Sequence, residues 1–174
     1  MSVKKYTENE MAEMTKKAQT ALKTMTVAGV GIGFAPVMVD IAALMTAMGA
    51  GVVAIGKCYG FNLDKQGAGD LIKQFFKAAG TTYAFVFAGQ KIAASFLKSN
   101  PVSYIPAMIS DAVMCGAIAY AVGSTSEKYF RRKAEGSKAT ADDIKRWMEE
   151  GKREGKAVSK KHAEEQAARM QDSK

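Results

Sequence analysis

Residues 37–56 read VMVDIAALMTAMGAGVVAIG, and in this stretch Asp40 is the only charged residue. Twenty helical residues at about 1.5 Å each extend roughly 30 Å, the thickness of a bilayer's hydrocarbon core. Pro36 stands just before Val37, and proline disfavours continuation of a preceding helix. The pattern predicts a long apolar helix near Asp40.

A second apolar run occupies residues 101–126, where Asp111 is the only charge. Small residues recur at four-residue steps in both runs and include Gly51 and Gly123, which would let helices approach closely in lipid or in a soluble core. Asp40 and Asp111 each lie near the expected start of a helix, where the helix dipole favours an acid. We expect them to make polar contacts that matter for assembly.

The segment between these runs predicts a different kind of helix. Lys73, Lys77, Lys91 and Lys98 fall in one sector at about 100° per residue, if the helix is continuous across Gly80. Apolar residues occupy much of the remaining surface, so this basic stripe would lie at a membrane surface, on a soluble bundle, or toward an aqueous lumen between assembled copies.

The two ends of the chain carry most of the charge. Residues 1–23 and 127–174 flank an apolar core at 24–126, and the last segment holds 14 Lys or Arg and 10 acidic residues. Thr7 with Glu10, and Thr140 with Asp143, have the spacing of helix N-caps. Trp147 lies on the apolar face of the second of these helices, where it would meet a lipid interface or the core.

We predict an all-α protein built as helical hairpins or a bundle. Its elements would be an amphipathic N-terminal helix, two apolar helices able to span a membrane, the Lys-striped helix and a charged C-terminal helix.

Several classes of function are not expected. One histidine and two cysteines cannot form a zinc site or a histidine-based catalytic triad. The sequence GVVAIGKC at 51–58 approaches a phosphate-binding loop, but it ends an apolar run and has cysteine where that loop needs a hydroxyl. Acids interleave with the basic residues of the tail, which argues against nucleic-acid binding. We therefore expect no enzyme activity, no cofactor and no metal.

Basic residues precede the first apolar run and follow the last one, so the positive-inside rule places both chain ends in the cytosol. A chain that crosses the membrane twice satisfies this arrangement. The same composition also fits a soluble helical bundle in the cytoplasm, so both locations stay open at the level of sequence.

The order of several short motifs resembles the bacterial domain-of-unknown-function family 697. They are Pro36 to Asp40, Tyr59-Gly60, Lys98 to Pro106, AYAVG at 119–123, Tyr129-Phe130 and EGKAV at 154–158. The resemblance implies a small helical protein of the bacterial inner membrane. Related domains follow GTPase domains in longer chains, which implies a GTPase or another protein as partner. It implies no catalytic residues.

Two functions follow as hypotheses. The first is a non-enzymatic membrane protein that forms homo-oligomers through its Gly/Ala faces and acts as a scaffold, an anchor or a pore. The alternative is a soluble helical adaptor that binds a GTPase or another protein.

Overall fold

A computed structural model describes residues 6–34, 40–80 and 104–172, and these residues are helical with short connections. Helix α1 spans Glu8–Gly33, α2 spans Asp40–Cys58, α3 spans Lys65–Ala79, α4 spans Tyr104–Ala134 and α5 spans Ala141–Asp172. The prediction of an all-α fold is confirmed. Helices α1 and α4 run without a break through the changes of composition at residues 23 and 126.

The helix ends follow local sequence signals. Thr7 and Glu10 form the predicted capping box at the start of α1, in which each side chain meets the backbone of the other. Asp64 caps α3 by accepting from the backbone N–H of Gly67 at 2.7 Å. After α4, Gly136 adopts φ +80°, a left-handed conformation that favours glycine and lets the chain turn back into α5.

Helix α4 is the central element, and α1, α2 and α5 pack around it. Helix α1 is antiparallel to α4, because Gly29 faces Ala119 and Gly33 faces Ala112. Helix α5 is also antiparallel to α4, with Gly151 against Ala121 and Gly155 against Ala117.

Helix α3 closes the end of the bundle where α2 finishes, and it packs on α2 and α5. Its buried face carries Leu71, Ile72 and Phe75. The ring of Phe75 meets Tyr129 of α4 edge-on at 5.8 Å.

Candidate functional site

One end of the bundle is almost free of charge on three of its helices. This uncharged end consists of residues 24–34 of α1, 42–56 of α2 and 106–126 of α4, and Asp111 is the one charged residue in these ranges. The opposite end holds the charged first half of α1, helix α3 and residues 127–150. The bundle is thus divided along its axis into an apolar part and a charged part.

Small residues join the three helices of the uncharged end. A Cβ placed on Gly33 would lie 2.6 Å from the backbone N of Ala112, and one on Gly29 would lie 2.7 Å from the Cβ of Ala119. Gly51 and Gly123 both lie against Met25 of α1. The small-residue steps noted in the sequence therefore serve contacts within one chain.

The predicted polar residues at this end have different positions. Asp111 is only 5% exposed on α4, and the thiol of Cys115 lies 3.9 Å from its Oδ1. Asp40 begins helix α2, but its side chain, like Pro36, falls outside the described residues. That the polar contacts of Asp40 and Asp111 matter for assembly stays a prediction.

Helix α5 covers one side of the uncharged end with very small side chains. Its buried positions recur every four residues from 151 onward: Gly151, Gly155, Ser159, Ala163 and Ala167. The first four lie against α4, and Ala163 clusters with Ala112 of α4 and Val30 of α1. The sequence analysis predicted only a charged C-terminal helix here and missed this stripe of small residues, although its four-residue spacing was visible.

The outer side of the same half-helix is charged. Residues 151–172 contain six Lys or Arg and four acidic residues, and Lys156, Lys160 and Lys161 are exposed. These charges run alongside the apolar part of α4, because Ser159 lies against Gly116 in the middle of that part. Most of the charge beside the uncharged end therefore belongs to α5.

Ion pairs fasten the first half of α5 to the charged end of α4. Lys128 donates to Glu150 at 2.9 Å, and Arg132 pairs with Asp143. The backbone N–H of Thr140 is the largest cause that lowers the pKa of Asp143, and the hydrogen bond from Lys128 lowers the pKa of Glu150. Both carboxylates thus favour the folded protein when ionised.

A buried hydrogen-bond network ties α1, α2 and α4 together at the charged end. Tyr59 is 1% exposed, and its hydroxyl donates to Oε1 of Glu127 at 2.7 Å. Thr15 then donates to the tyrosine oxygen at 3.1 Å, and Arg131 lies 3.6 Å from Glu127. Burial is the largest cause that raises the pKa of Tyr59, so the phenol stays a hydrogen-bond donor. Sequence reasoning missed this network because its members lie far apart in the chain.

A cleft of about 370 Å³ opens between α1, α4 and α5, next to this network. Helices α1 and α5 both pack on α4 but contact each other sparsely, which leaves α4 accessible between them. The lining mixes polar and apolar side chains: Gln19, Leu22, Lys23, Thr26, Tyr120, Ser124, Glu127, Val158 and His162. The cleft thus presents hydrogen-bond donors, acceptors and one carboxylate.

The predicted basic stripe is only partly within the described chain. Lys73 and Lys77 are exposed on α3, where Lys73 pairs with Asp70 at 2.9 Å. The condition for one common sector, a helix continuous across Gly80, is not met, because α3 ends at Ala79 and Gly80 adopts φ +95°. Lys91 and Lys98 lie outside the described residues.

Trp147 lies in the core, which is one of the two environments expected for it. Its side chain is 8% exposed, and the guanidinium of Arg132 lies 5.6 Å from the ring centre. Trp147 therefore helps hold α5 to the charged end of α4.

One stretch among the described residues, Pro106–Ala134, is long and apolar enough to cross a membrane by length and composition. In the folded chain 72% of its apolar window is buried. The apolar part of α2, Ala42–Cys58, is shorter. The core helix of a soluble protein can satisfy the same criterion.

The residues that approach a phosphate-binding loop, 51–58, lie inside α2. Their backbone N–H groups are therefore engaged along a helix, whereas a phosphate-binding loop leaves such groups free to cradle the phosphates.

The family model for a domain of unknown function, DUF697, matches residues 3–167. Since this match covers nearly the whole chain, the protein belongs to that family, as the motif order indicated. No curated protein and no solved structure matches the chain.

Proposed function

We propose that this protein is a non-enzymatic helical anchor of the bacterial inner membrane, which meets the bilayer with its uncharged end. The observation that carries the proposal is the division of charge: residues 24–34, 42–56 and 106–126 share one buried acid. The charged end and the N-terminus would stay in the cytoplasm. The second half of α5 lies beside the uncharged end in the folded chain, so it would have to leave that end for the C-terminus to lie in the cytoplasm as well.

The dimensions of this end suit a bilayer. Residues 106–126 would extend about 31 Å as a helix, close to the hydrocarbon thickness of about 30 Å. The α1 and α2 segments are shorter, so they would enter the bilayer without crossing it as helices. Glycine and alanine contacts such as Gly33 with Ala112 stabilise helix pairs in lipid as well as in water.

A soluble adaptor is the second candidate, and the position of α4 favours it. The helix is surrounded by α1, α2 and α5, and the large apolar side chains exposed in the described chain are limited to Val27, Val158 and Met170. Such an adaptor would bind a GTPase or another protein in the cleft between α1, α4 and α5. Val158 in the wall of that cleft supplies an apolar contact.

Self-association stays part of the proposal in a narrower form. The described Gly/Ala contacts are made inside one chain, so a scaffold or pore of several copies would need another surface. The outward face of α2 is uncharged and carries small exposed side chains, Ala42, Thr46, Ala50 and Ala54, and it would be the surface for a second copy.

Membrane fractionation separates the two candidates. An anchor inserted in hydrocarbon remains with the membranes through washes in high salt and then in alkaline carbonate. A protein held by its lysines leaves in high salt, because ions screen surface charges. Recovery of all the protein in the soluble fraction before any wash would overturn the anchor and favour the adaptor.

A further inference from the structure

Residues 151–170 of α5 differ from every other part of the described bundle, because a charged segment here covers an uncharged one. The buried side chains of this covering segment are no larger than Ala or Ser from position 151 onward, whereas Ile144, Trp147 and Met148 bury large side chains in the first half of α5. Apolar burial scales with side-chain area, so the covering segment is held less strongly than the first half of its own helix.

Ser159 gives a second and independent indication. Its side chain is fully buried against Gly116, and within the described chain its hydroxyl has no hydrogen-bond partner. A hydroxyl removed from water without a partner opposes burial. Moving the covering segment away would return this hydroxyl to water.

Ion pairs to α4 hold the first half of α5. Asp143 and Glu150 pair there with Arg132 and Lys128. In the second half, Tyr120 of α4 donates a hydrogen bond to Glu154 at 3.2 Å. Lys160 lies 3.9 Å from Glu164 and His162 lies 3.8 Å from Glu165, and both of these acids belong to α5 itself. The ion pairs to Arg132 and Lys128 can therefore keep the first half of α5 in place while the second half moves.

We infer that residues 151–170 form a displaceable cover, and that the α4 face beneath them binds bilayer hydrocarbon when the cover moves aside. This inference rests on the proposed function. It explains how a helix of bilayer length can be 72% buried in one form of the protein and meet lipid in another. With the cover displaced, residues 106–126 would carry into the bilayer only the charge of Asp111.

The first test uses variants that open or spare the cover. A Cβ on Gly155 would lie 2.8 Å from both the backbone O of Ala117 and the Cβ of Tyr120, so Gly155→Leu should force the segment off α4. Ala157 is exposed on the same segment, so Ala157→Leu adds a similar side chain without this clash. The probe is flotation with neutral phosphatidylcholine vesicles after a carbonate wash. We expect Gly155→Leu to raise the bound-to-free ratio about tenfold over Ala157→Leu, or about 1.4 kcal/mol.

The second test locks the cover. The locked variant carries Tyr120→Cys and Gly155→Cys, with Cys58→Ala and Cys115→Ala to remove the native thiols. The Cβ positions of residues 120 and 155 lie 2.8 Å apart, so an outward shift of the cover by about 1 Å gives the usual disulfide separation of about 3.8 Å between Cβ atoms. The oxidised form should stay off the vesicles, and the reduced form of the same protein should bind them.

The third test needs no substitution. Hydrogen exchange of the wild-type chain in solution should be faster at backbone amides 156–170 than at amides 145–150 or in α4. Equal protection along the whole of α5 would overturn the cover even if the variants fold poorly.

The outcomes separate this inference from the proposed function. If the wild type, the Gly155→Leu variant and the reduced double-cysteine variant all remain unbound to vesicles, both the proposed anchor and the proposed cover are wrong. If oxidised and reduced forms float equally, the anchor stands and the cover fails. If Gly155→Leu forms a dimer in light scattering instead of floating, a second copy and not lipid is the occupant, and the inference is wrong.

Discussion

Removal of one buried hydroxyl should test the network that joins three helices at the charged end. In Tyr59→Phe the ring keeps its place in the core, but Glu127 loses the donor that lies 2.7 Å from its Oε1. Glu127 is itself only 9% exposed, so water cannot readily replace that donor. Hydrogen bonds to charged groups contribute about 1.5–3 kcal/mol, and we expect a loss of that size.

The assay is thermal unfolding followed by circular dichroism, with urea unfolding to obtain the free energy. For a chain of this length the expected loss corresponds to a decrease in Tm of about 3–12 °C. Tyr129→Phe is the matched control, because the described contacts of Tyr129 are ring contacts with Phe75 and Phe130. A double-mutant cycle with Glu127→Gln should give a coupling energy of about 1 kcal/mol or more. Equal effects of Tyr59→Phe and Tyr129→Phe, with zero coupling, would refute this reasoning.

Three further predictions concern other contacts. Gly33→Ala should destabilise the fold by about 1–3 kcal/mol in urea unfolding, because its Cβ would meet the backbone of Ala112. Gly31→Ala is the control and should be neutral or stabilising, because nothing lies within 4 Å of its Cβ position. Equal effects of the two substitutions would contradict the close crossing of α1 and α4. The folded-state pKa of Asp143 is lowered, so its carboxylate stabilises the fold above the unfolded-state pKa, and this contribution is lost as the pH falls through the folded-state pKa. Asp143→Asn should therefore make the decrease in Tm between pH 7 and pH 3 smaller. An unchanged decrease would contradict a stabilising role for the Asp143 carboxylate. Trp147→Ala should lower the unfolding free energy by about 3–5 kcal/mol, and a loss below about 1 kcal/mol, as is usual for surface changes, would show that the ring adds little to the core.

Local signals in the sequence were sufficient for the helices and many of their ends. The Thr7 capping box and the cap by Thr140, whose hydroxyl accepts from the backbone N–H of Asp143, need residues only three positions apart, so their chemistry can be read from the chain itself. The break at Gly80 was also visible, because glycine readily adopts the positive φ found there. The continuity on which the Lys-striped helix depended is therefore not met at Gly80.

The partners of each helix could not be read in the same way. A step of small residues such as Gly29 with Gly33 fits contact with a second copy, with lipid or with another helix of the same chain. The structure pairs these residues with Ala119 and Ala112 of α4. That choice depends on the packing of the whole bundle, which spacing along one helix does not determine.

The candidate site shows the same limit. The uncharged end was evident as two apolar runs, but the cover over it was not, because residues 151–170 have the composition of a solvated helix. Tyr59 and Glu127 lie 68 positions apart, and each is unremarkable in its own neighbourhood. The hydrogen-bond network, the cleft and the covered face of α4 all form from residues that are distant in the sequence and adjacent only in the folded chain.

The central claim is that the uncharged end of the bundle lies in the bilayer. Its most direct test is labelling with a membrane-impermeant maleimide in intact membranes, using chains with Cys58→Ala and Cys115→Ala and one new cysteine. Ala50→Cys on the exposed face of α2 reports the uncharged end, and Ala141→Cys, also exposed, reports the charged end. We predict that Ala50→Cys is protected until detergent is added, while Ala141→Cys is labelled in opened vesicles without detergent. Equal labelling of both cysteines in those vesicles would contradict the anchor and leave the soluble adaptor.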